Sequence, residues 1–481
     1  MNTATATVAA RRYDDLPGPR GLPLLGNAWR MRPGSAHQQM ERWADEFGPC
    51  YRLEMGRRRR MLVLGDHTQV AAVLRDRPEG FARTDRLREI GAEIGLPPGL
   101  FSANGDEWRR MRRMVMSAFD PGHVRAYFPS LQQVSQALAQ RWSRAAATGQ
   151  AIDLQADLMR FTVDTIAGLA FGARVDTLSS DGDVIQRHLD QIFPALSRRL
   201  FAPLPWWRIR RSAADRALEQ AMREVMQAVE GFIAAARQRL ADDPARRSAP
   251  HNLLEAMLAA ADEPGSGIDD TQVAGNVLTM LLAGEDTTAN TLAWMIHLLW
   301  RHPEALQRAV DEVRRVVPAG ATPTHEQLGE LVWVEACAHE TMRLKPVAPL
   351  LLAQALRDTT VGDVQVPRGV MVVGLMRHDA MRDDCLPEAR RFDPARWLTD
   401  GHRAAEGARS PKRVSMPFGA GPRMCPGRYL ALLEMQMAMA TLLGRFDLLS
   451  VDTPDGADPA ERLSFTMMPV GLTMRLRERS A

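Results

Sequence analysis

The stretch "PFGAGPRMCPG", Pro417 to Gly427, decides how this chain is read. It sets one cysteine, Cys425, among three glycines, three prolines and an arginine. It runs directly into "RYLALLEMQMAMATLLGRF", an apolar segment that predicts a buried helix. Pro426 suits the first helical turn, where its missing N–H is not needed. That places Cys425 at a helix N-terminus, whose backbone N–H groups and dipole favour a thiolate. The glycines let the backbone approach something large. Arg423 offers a charge-assisted fork for a carboxylate.

Three other readings of the loop compete. A buried structural cysteine is the commonest fate of a lone cysteine, but it needs none of these neighbours. A catalytic cysteine wants a base, and no histidine stands nearby in the sequence. A dinucleotide loop fails, because Gly419-x-Gly421 is followed by Met424 where the third glycine belongs.

The surrounding chain is that of a globular protein. Its 481 residues are 45% hydrophobic and 25% charged, enough for a large core. The net charge of +3 is too small to argue for nucleic acid. Positive charge is almost all arginine, since the lysines are Lys345 and Lys412; a coding bias explains this. The opening "MNTATATVAARRYDD" has no apolar signal region, and no uncharged apolar run approaches the roughly 18 residues of a membrane span. Cys50, Cys337, Cys385 and Cys425 lie far apart with no CxxC pair, against a disulfide framework or a zinc site. The expectation is a cytoplasmic protein.

No repeat and no domain-separating linker is visible; "ADDPARRSAP" and "ADEPGSG" read as loops. The expected organisation is a flexible segment over 1–15 and a single domain over 16–481. After a Pro/Gly-rich lead-in at 17–28, "CYRLEMG" and "RMLVLGD" predict a hairpin. Helical periodicity dominates from about 105 to 345, as in "ADRALEQAMREVMQAVEGFIAAARQRL" and "HPEALQRAVDEVRRVV". Strand-like pieces return in "TTVGDVQVPRGVMVVGL", and "SFTMMPVGLTMRLR" predicts a final hairpin. The fold class is mainly α with small β-sheets.

A second feature lies inside a long apolar helix, expected from about Asp269 to Arg301 and ended before Pro303. At roughly 1.5 Å per residue it is about 50 Å long. Gly284, Glu285, Asp286, Thr287 and Thr288 interrupt its apolar run. Gly and Thr weaken a helix interior, and a buried carboxylate is costly. The bland alternative is that Glu285 and Asp286 face solvent. A threonine hydroxyl here can bond the carbonyl four residues back, that of Ala283.

Phe418-x-x-Gly421-x-Arg423-x-Cys425-x-Gly427 resembles the haem-binding loop of the cytochrome P450 family, soluble bacterial type. The resemblance implies the cytochrome P450 fold and a haem b cofactor. It makes Cys425 the axial iron ligand, with a thiolate that favours O–O cleavage. It places Phe418 on the proximal side of the haem, gives Arg423 a propionate, and sets Gly427 and Ala283 beside the cofactor. "AGEDTT" matches the family's oxygen-activating segment, which implies a proton relay through Asp286 and Thr287, with Glu285 nearer the solvent. Trp108 and Arg112 in "EWRRMRRMV" match a WxxxR helix that contacts propionates. The ExxR pattern also starts at Glu54, Glu107, Glu312, Glu388 and Glu406, so position selects Glu340 and Arg343, with Arg396 completing a structural cluster. One departure stands out: where many members carry a further propionate-binding arginine, this chain has Ala353 or Gln354. The resemblance runs from about Leu16 to Arg475.

The implied reaction inserts one atom of O2 into an apolar substrate. Because the chain ends near Arg479, the electrons are expected from a separate ferredoxin with its reductase, or from a flavodoxin-type donor. A peroxygenase, or a haem-thiolate sensor without turnover, is the alternative; neither has a use for the acid–threonine pair. The expected donor surface is a basic patch of Arg109, Arg110, Arg113, Lys412, Arg413 and Arg428. The expected pocket draws Leu87, Ile90, Ile94, Leu96 and Phe101 from the loop before Trp108, and Phe193, Leu196, Phe201 and Leu204 from "IFPALSRRLFAPLPWW". Trp206 and Trp207 stand as lid residues. Leu282 and Ala283, then Val347, Ala348 and Leu350, then Met467 and Met468 complete it. Such a lining prefers a hydrophobic small molecule, with Arg83 and Arg86 at the entrance or in solvent. The protein is expected to be a monomer.

Overall fold

The computed structural model describes residues 10–56, 59–173, 175–179, 184–202, 204–398 and 410–479. Six helices position the site: α1 (Gly105–Ala118), α2 (Leu154–Phe171), α3 (Val184–Phe201), α4 (Asp270–Arg301), α5 (Val332–Leu344) and α6 (Arg428–Arg445). α4 has the boundaries its sequence predicts. Asp269 caps it and accepts from the Gln272 N–H at 2.8 Å, while Gln272 accepts from the Asp269 N–H at 3.2 Å. It stops at Arg301, just before Pro303. Most of its length is buried, so it serves as an axis around which the other helices pack. Gly284 sets the separation from α2: a Cβ there would lie 2.6 Å from Ile166 Cδ1.

The principal sheet has five strands: β1 (Cys50–Met55), β2 (Arg59–Leu64), β3 (Phe81–Ala82), β4 (Leu350–Ala355) and β5 (Met371–Leu375), in the order β1-β2-β5-β4-β3. β1 and β2 form the expected antiparallel hairpin, and β2 pairs with β5 in parallel. A two-stranded hairpin, β6 (Glu461–Ser464) and β7 (Thr466–Pro469), turns at Phe465. The segment 464–477 is therefore not one hairpin. Its first part closes β6–β7, and Thr473–Glu478 pairs instead with Phe446–Asp452 and with Ile152–Asp153. The opening segment is tied down from Arg11 onward. Arg11–Arg12 pairs in parallel with Val364–Val366, and Tyr13 is buried against that sheet, so residues 11–15 are anchored; residues 1–9 lie outside the described part.

The largest apolar cluster joins α1, α2, α4, α5 and α6, and two smaller ones back the principal sheet.

Candidate haem-binding site

The cysteine loop folds as its glycines require. Gly419 and Gly421 have φ of +72° and +70°, the left-handed region that glycine adopts without cost. A Cβ on Gly421 would also lie 2.8 Å from backbone atoms at Leu74 and Arg75. The Cys425 N–H closes the loop on the Phe418 carbonyl at 2.9 Å. α6 begins at Arg428 with Gly427 as its cap, so Cys425 and Pro426 precede the helix rather than open it. The sulfur still receives the Gly427 N–H. Burial nevertheless pushes the thiol up, outweighing that N–H and the nearby Arg112 and Arg428 charges. The helix end favours the thiolate, as its N–H groups predict, but less than burial disfavours it; binding to a cation is what would deprotonate this sulfur.

Around the half-buried Cys425 stand arginines with no carboxylate partner among the described residues. Arg423 lies over the Trp108 ring at 5.0 Å and donates to Asn104 Oδ1 at 3.1 Å and to the Ala103 carbonyl at 2.5 Å. Arg112, from the same helix as Trp108, is close enough to Cys425 to feel its charge. Arg77 and Arg83 complete the group. Burial, then the Arg77 and Arg112 charges, lowers Arg423 to about 9; burial lowers Arg77 to about 10; burial, then Arg77 and Arg423, lowers Arg83. Mutually repelling, partly desolvated cations demand an anion. A haem, with two propionates and an iron that takes a soft thiolate, fits this donor set. Nothing local in the sequence marks Arg77, and Arg83 joins this group rather than standing at a pocket entrance or in solvent. Gln354 Oε1 accepts the Asp85 N–H at 3.0 Å and Ala353 is fully buried, so neither supplies a cation, whereas Arg77 and Arg83 add two to the group around Arg423.

On α4, Ala283 is exposed and Thr287 partly so, although the helix around them is buried. The Thr287 hydroxyl donates to the Ala283 carbonyl at 2.6 Å, the back-bond its position predicts. Glu285 and Asp286 are both buried, at 2% and 3% exposure, so neither faces solvent and Glu285 is no nearer it. Burial raises Asp286, against hydrogen bonds from Thr466 and Asn290. Its carboxyl does not touch Thr287. Asn290 Nδ2 donates to Oδ1 at 2.7 Å and the Thr466 hydroxyl donates to Oδ2. Glu434 on α6, one more buried carboxyl that the sequence reading missed, is pushed up to about 8 by burial against a hydrogen bond from Thr288.

Glu340, Arg343 and Arg396 come together. Arg343 forks onto Glu340 at 2.7 and 2.8 Å with both side chains fully buried, and Arg396 Nε lies 3.4 Å from Glu340. Arg343 also donates to the carbonyls of Ala380, Ala389 and Arg391, and Trp397 Nε1 donates to Glu340 at 2.9 Å. The cluster ties α5 to the segment that leads toward the cysteine loop.

A cavity lies beside the acid pair, lined by Met159, Phe193, Pro194, Glu285, Asp286, Ser464 and Met468. A second holds Phe201 with Arg86 and the inner methionines of the sheet. Phe101 meets Phe465 edge-on at 5.7 Å. Val347, Ala348 and Leu350 remain partly or fully accessible, as do Leu87 and Leu96. Ile90, Ile94, Leu196 and Leu282 are buried in the main core. Met467 is corrected. It is fully buried in a sheet-backing cluster beside Arg377, because adjacent strand residues face opposite sides and Met468 takes the cavity. Leu204 and Trp206 are exposed, while Trp207 Nε1 donates to Glu93 at 2.6 Å and ties the α3 exit to the Asp85–Glu93 helix. Arg86 is not solvated: it donates to the Arg199, Leu200 and Ala202 carbonyls at the end of α3.

Of the basic patch, Arg113, Lys412, Arg413 and Arg428 are exposed. Arg109 adds no free charge, since Glu79 and Asp106 pair with it. Arg110 is half-buried and packs on Gly267. Cys385 belongs to a separate group with His67 and Asp379, where Asp379 already accepts His67 N and Nδ1, each at 2.8 Å.

These features match known proteins. Residues 16–475 match the family model for cytochrome P450. The chain belongs to the cytochrome P450 family. It is 27% identical over 96% of its length to a self-sufficient cytochrome P450 monooxygenase, CYP505E4, of Penicillium freii. It is 27% identical over 93% of its length to the chloroplastic carotene epsilon-monooxygenase of Arabidopsis thaliana, of which it covers 83%. The crystal structure of the cytochrome P450DA heme domain superposes with a TM-score of 0.83 at 25% identity, covering 98% of this chain and 99% of that one. The chain spans 43% of the length of the Penicillium relative. Among the described residues, no helix is long and apolar enough to cross a membrane.

Proposed function

We propose that this protein is a haem-thiolate monooxygenase acting on a hydrophobic small molecule. The observation that carries the reading is the half-buried Cys425 with Arg112 beside it, and Arg423, Arg77 and Arg83 grouped with that arginine, none with an acidic partner among the described residues. In this reading Cys425 ligates the iron, Arg112, Arg423, Arg77 and Arg83 hold the propionates, and Trp108 and Phe418 pack on the group. Haem bound there supplies the activation of dioxygen with two electrons. The balance is one substrate C–H, one O2, two electrons and two protons giving one alcohol and one water.

The chain's own residues account for the rest. Apolar side chains around Phe193, Phe101 and Met468 exclude water from the reacting centre. Asp286 is the buried acid from which protons are drawn, and the Thr287 hydroxyl, on the accessible side of α4, passes them on. The exposed cations Arg113, Lys412, Arg413 and Arg428 steer an acidic ferredoxin or flavodoxin-type donor, whether separate or joined to the same polypeptide. Compartment and oligomeric state follow the sequence expectation, a cytoplasmic monomer.

The test is a screen of fatty acids, terpenoids and macrocycles for a shift in the ferric haem spectrum. Turnover of the hits under 18O2 with a ferredoxin and its reductase follows. One labelled atom per product molecule is expected. Thr287→Ala and Asp286→Asn should still bind haem and substrate, the first releasing more peroxide per electron pair and the second turning over more slowly. Unlabelled product, or full coupling in both variants, contradicts the reading.

A further inference from the structure

The turn between β6 and β7 does two things at once. Phe465 has φ of +81°, a conformation that a side chain bearing a Cβ rarely adopts and that persists only where its surroundings hold it. What holds it is aromatic: its ring stacks on Phe193 of α3 at 4.9 Å and meets Phe101 edge-on at 5.7 Å. The next residue, Thr466, is 4% exposed and donates its hydroxyl to Asp286 Oδ2. The other carboxyl oxygen takes Asn290 Nδ2 at 2.7 Å, and Asn290 Oδ1 accepts from Gln155 of α2 at 2.9 Å. Both oxygens of the buried acid are therefore held, one from within α4 and one from the tip of a hairpin 180 residues away.

The base of the hairpin is fixed. Glu461 at its start accepts from His37, Lys345 and Arg377 at 3.0, 2.7 and 2.8 Å. A clamped base and a strained, stacked tip leave the turn as the part that responds to a guest that opens a gap between the stacked rings of Phe465 and Phe193. Phe193 itself lines the cavity that contains Asp286.

We propose that Thr466 is a positioning residue for the Asp286 carboxylate and that the Phe465–Thr466 tip ties the setting of this acid to occupancy of the aromatic gap beside it. The proposal rests on Asp286 being the relay acid of the reading above. With the gap closed, Thr466 holds Asp286 turned from Thr287, whose hydroxyl is bonded to the Ala283 carbonyl. A guest that displaces Phe465 draws Thr466 with it and frees Oδ2. Proton supply is then offered when substrate is present and withheld when it is not.

Infrared titration of the holoprotein reads the acid directly: the difference between wild type and Asp286→Asn isolates its carboxyl band. Glu285 is the other titratable group on this cavity; α2, α3 and the hairpin present Met159, Phe193, Pro194, Ser464 and Met468 there, none charged. Loss of the donated hydrogen bond in Thr466→Val should raise the Asp286 midpoint by about one pH unit. Thr466→Ser should restore the wild-type midpoint, which a purely structural role does not predict. Phe465→Ala, which unstacks the tip without touching the acid, should raise it in the same direction. An unchanged midpoint in Thr466→Val overturns the positioning role. A shift in Thr466→Val with none in Phe465→Ala overturns the link to the aromatic gap. A wild-type turnover rate in Asp286→Asn would instead remove the relay reading and leave the titration result standing.

Discussion

Arg343→Ala removes the cation from a pair in which neither side chain is exposed. It leaves the Glu340 carboxylate with the Asp393 N–H at 2.9 Å, Trp397 Nε1 at 2.9 Å and the more distant Arg396, and strips a donor from two buried carbonyls and one partly buried one. Breaking a buried pair from one side costs about 3–5 kcal/mol, chiefly the desolvation of the charge left behind. The urea slope of a 481-residue chain lies above the roughly 3 kcal/mol per M of small proteins, so the unfolding midpoint should fall by about 0.5–1 M. Tryptophan fluorescence is a suitable probe because Trp397 touches the cluster. Arg343→Lys keeps the charge but loses the fork and should fall between the two. Removing both charges, as Glu340→Gln with Arg343→Met, should recover part of the loss, because no lone carboxylate remains. A midpoint within about 0.2 M of wild type for Arg343→Ala would show that the cluster does not brace the fold.

On the proposed reading, Arg423→Ala would delete one charge-assisted contact to a propionate, worth about 1.5–3 kcal/mol, so haem transfer to apomyoglobin should speed up by about 10- to 100-fold. Glu434 titrates at about 8 in the fold against an ordinary 4.5, so the folded chain binds the extra proton between those values. Stability should therefore fall as pH rises across that window, by up to about 1.4 kcal/mol per unit, and Glu434→Gln should flatten the profile in calorimetry. Reduction by an acidic ferredoxin should slow as salt rises, and Arg428→Glu should slow it further at low ionic strength; stopped-flow rates that ignore salt count against the patch. Ligand titrations should favour lipophilic compounds over small polar ones, at about 25 cal/mol per Å² buried.

Local patterning carried most of the fold. The ends of α4 were legible because Asp269 and Pro303 are local signals, and the β1–β2 hairpin because its strands are short and adjacent. The final strands were not, since "SFTMMPVGLTMRLR" alternates throughout and only distant pairing with Phe446–Asp452 splits it. Cys425 and Arg423 were legible from one loop, but Arg77, Arg83 and Glu434 were not, because what marks them is burial among residues far away in the chain. Arg109 illustrates the converse: its sequence says free charge, and Glu79, 30 residues upstream, cancels it. Thr466 gave no signal at all, since a threonine in a short strand is ordinary and its partner lies in another element.

Whether Cys425 gives its thiolate to the iron is read from the spectrum of the reduced, carbon monoxide-bound holoprotein. A Soret band shifted far to the red is expected in wild type. Cys425→Ala should lose that band, or haem itself, while Cys385→Ala leaves the band in place. A Soret band at the position given by a neutral nitrogen ligand, or a spectrum unchanged in Cys425→Ala, would contradict ligation by Cys425.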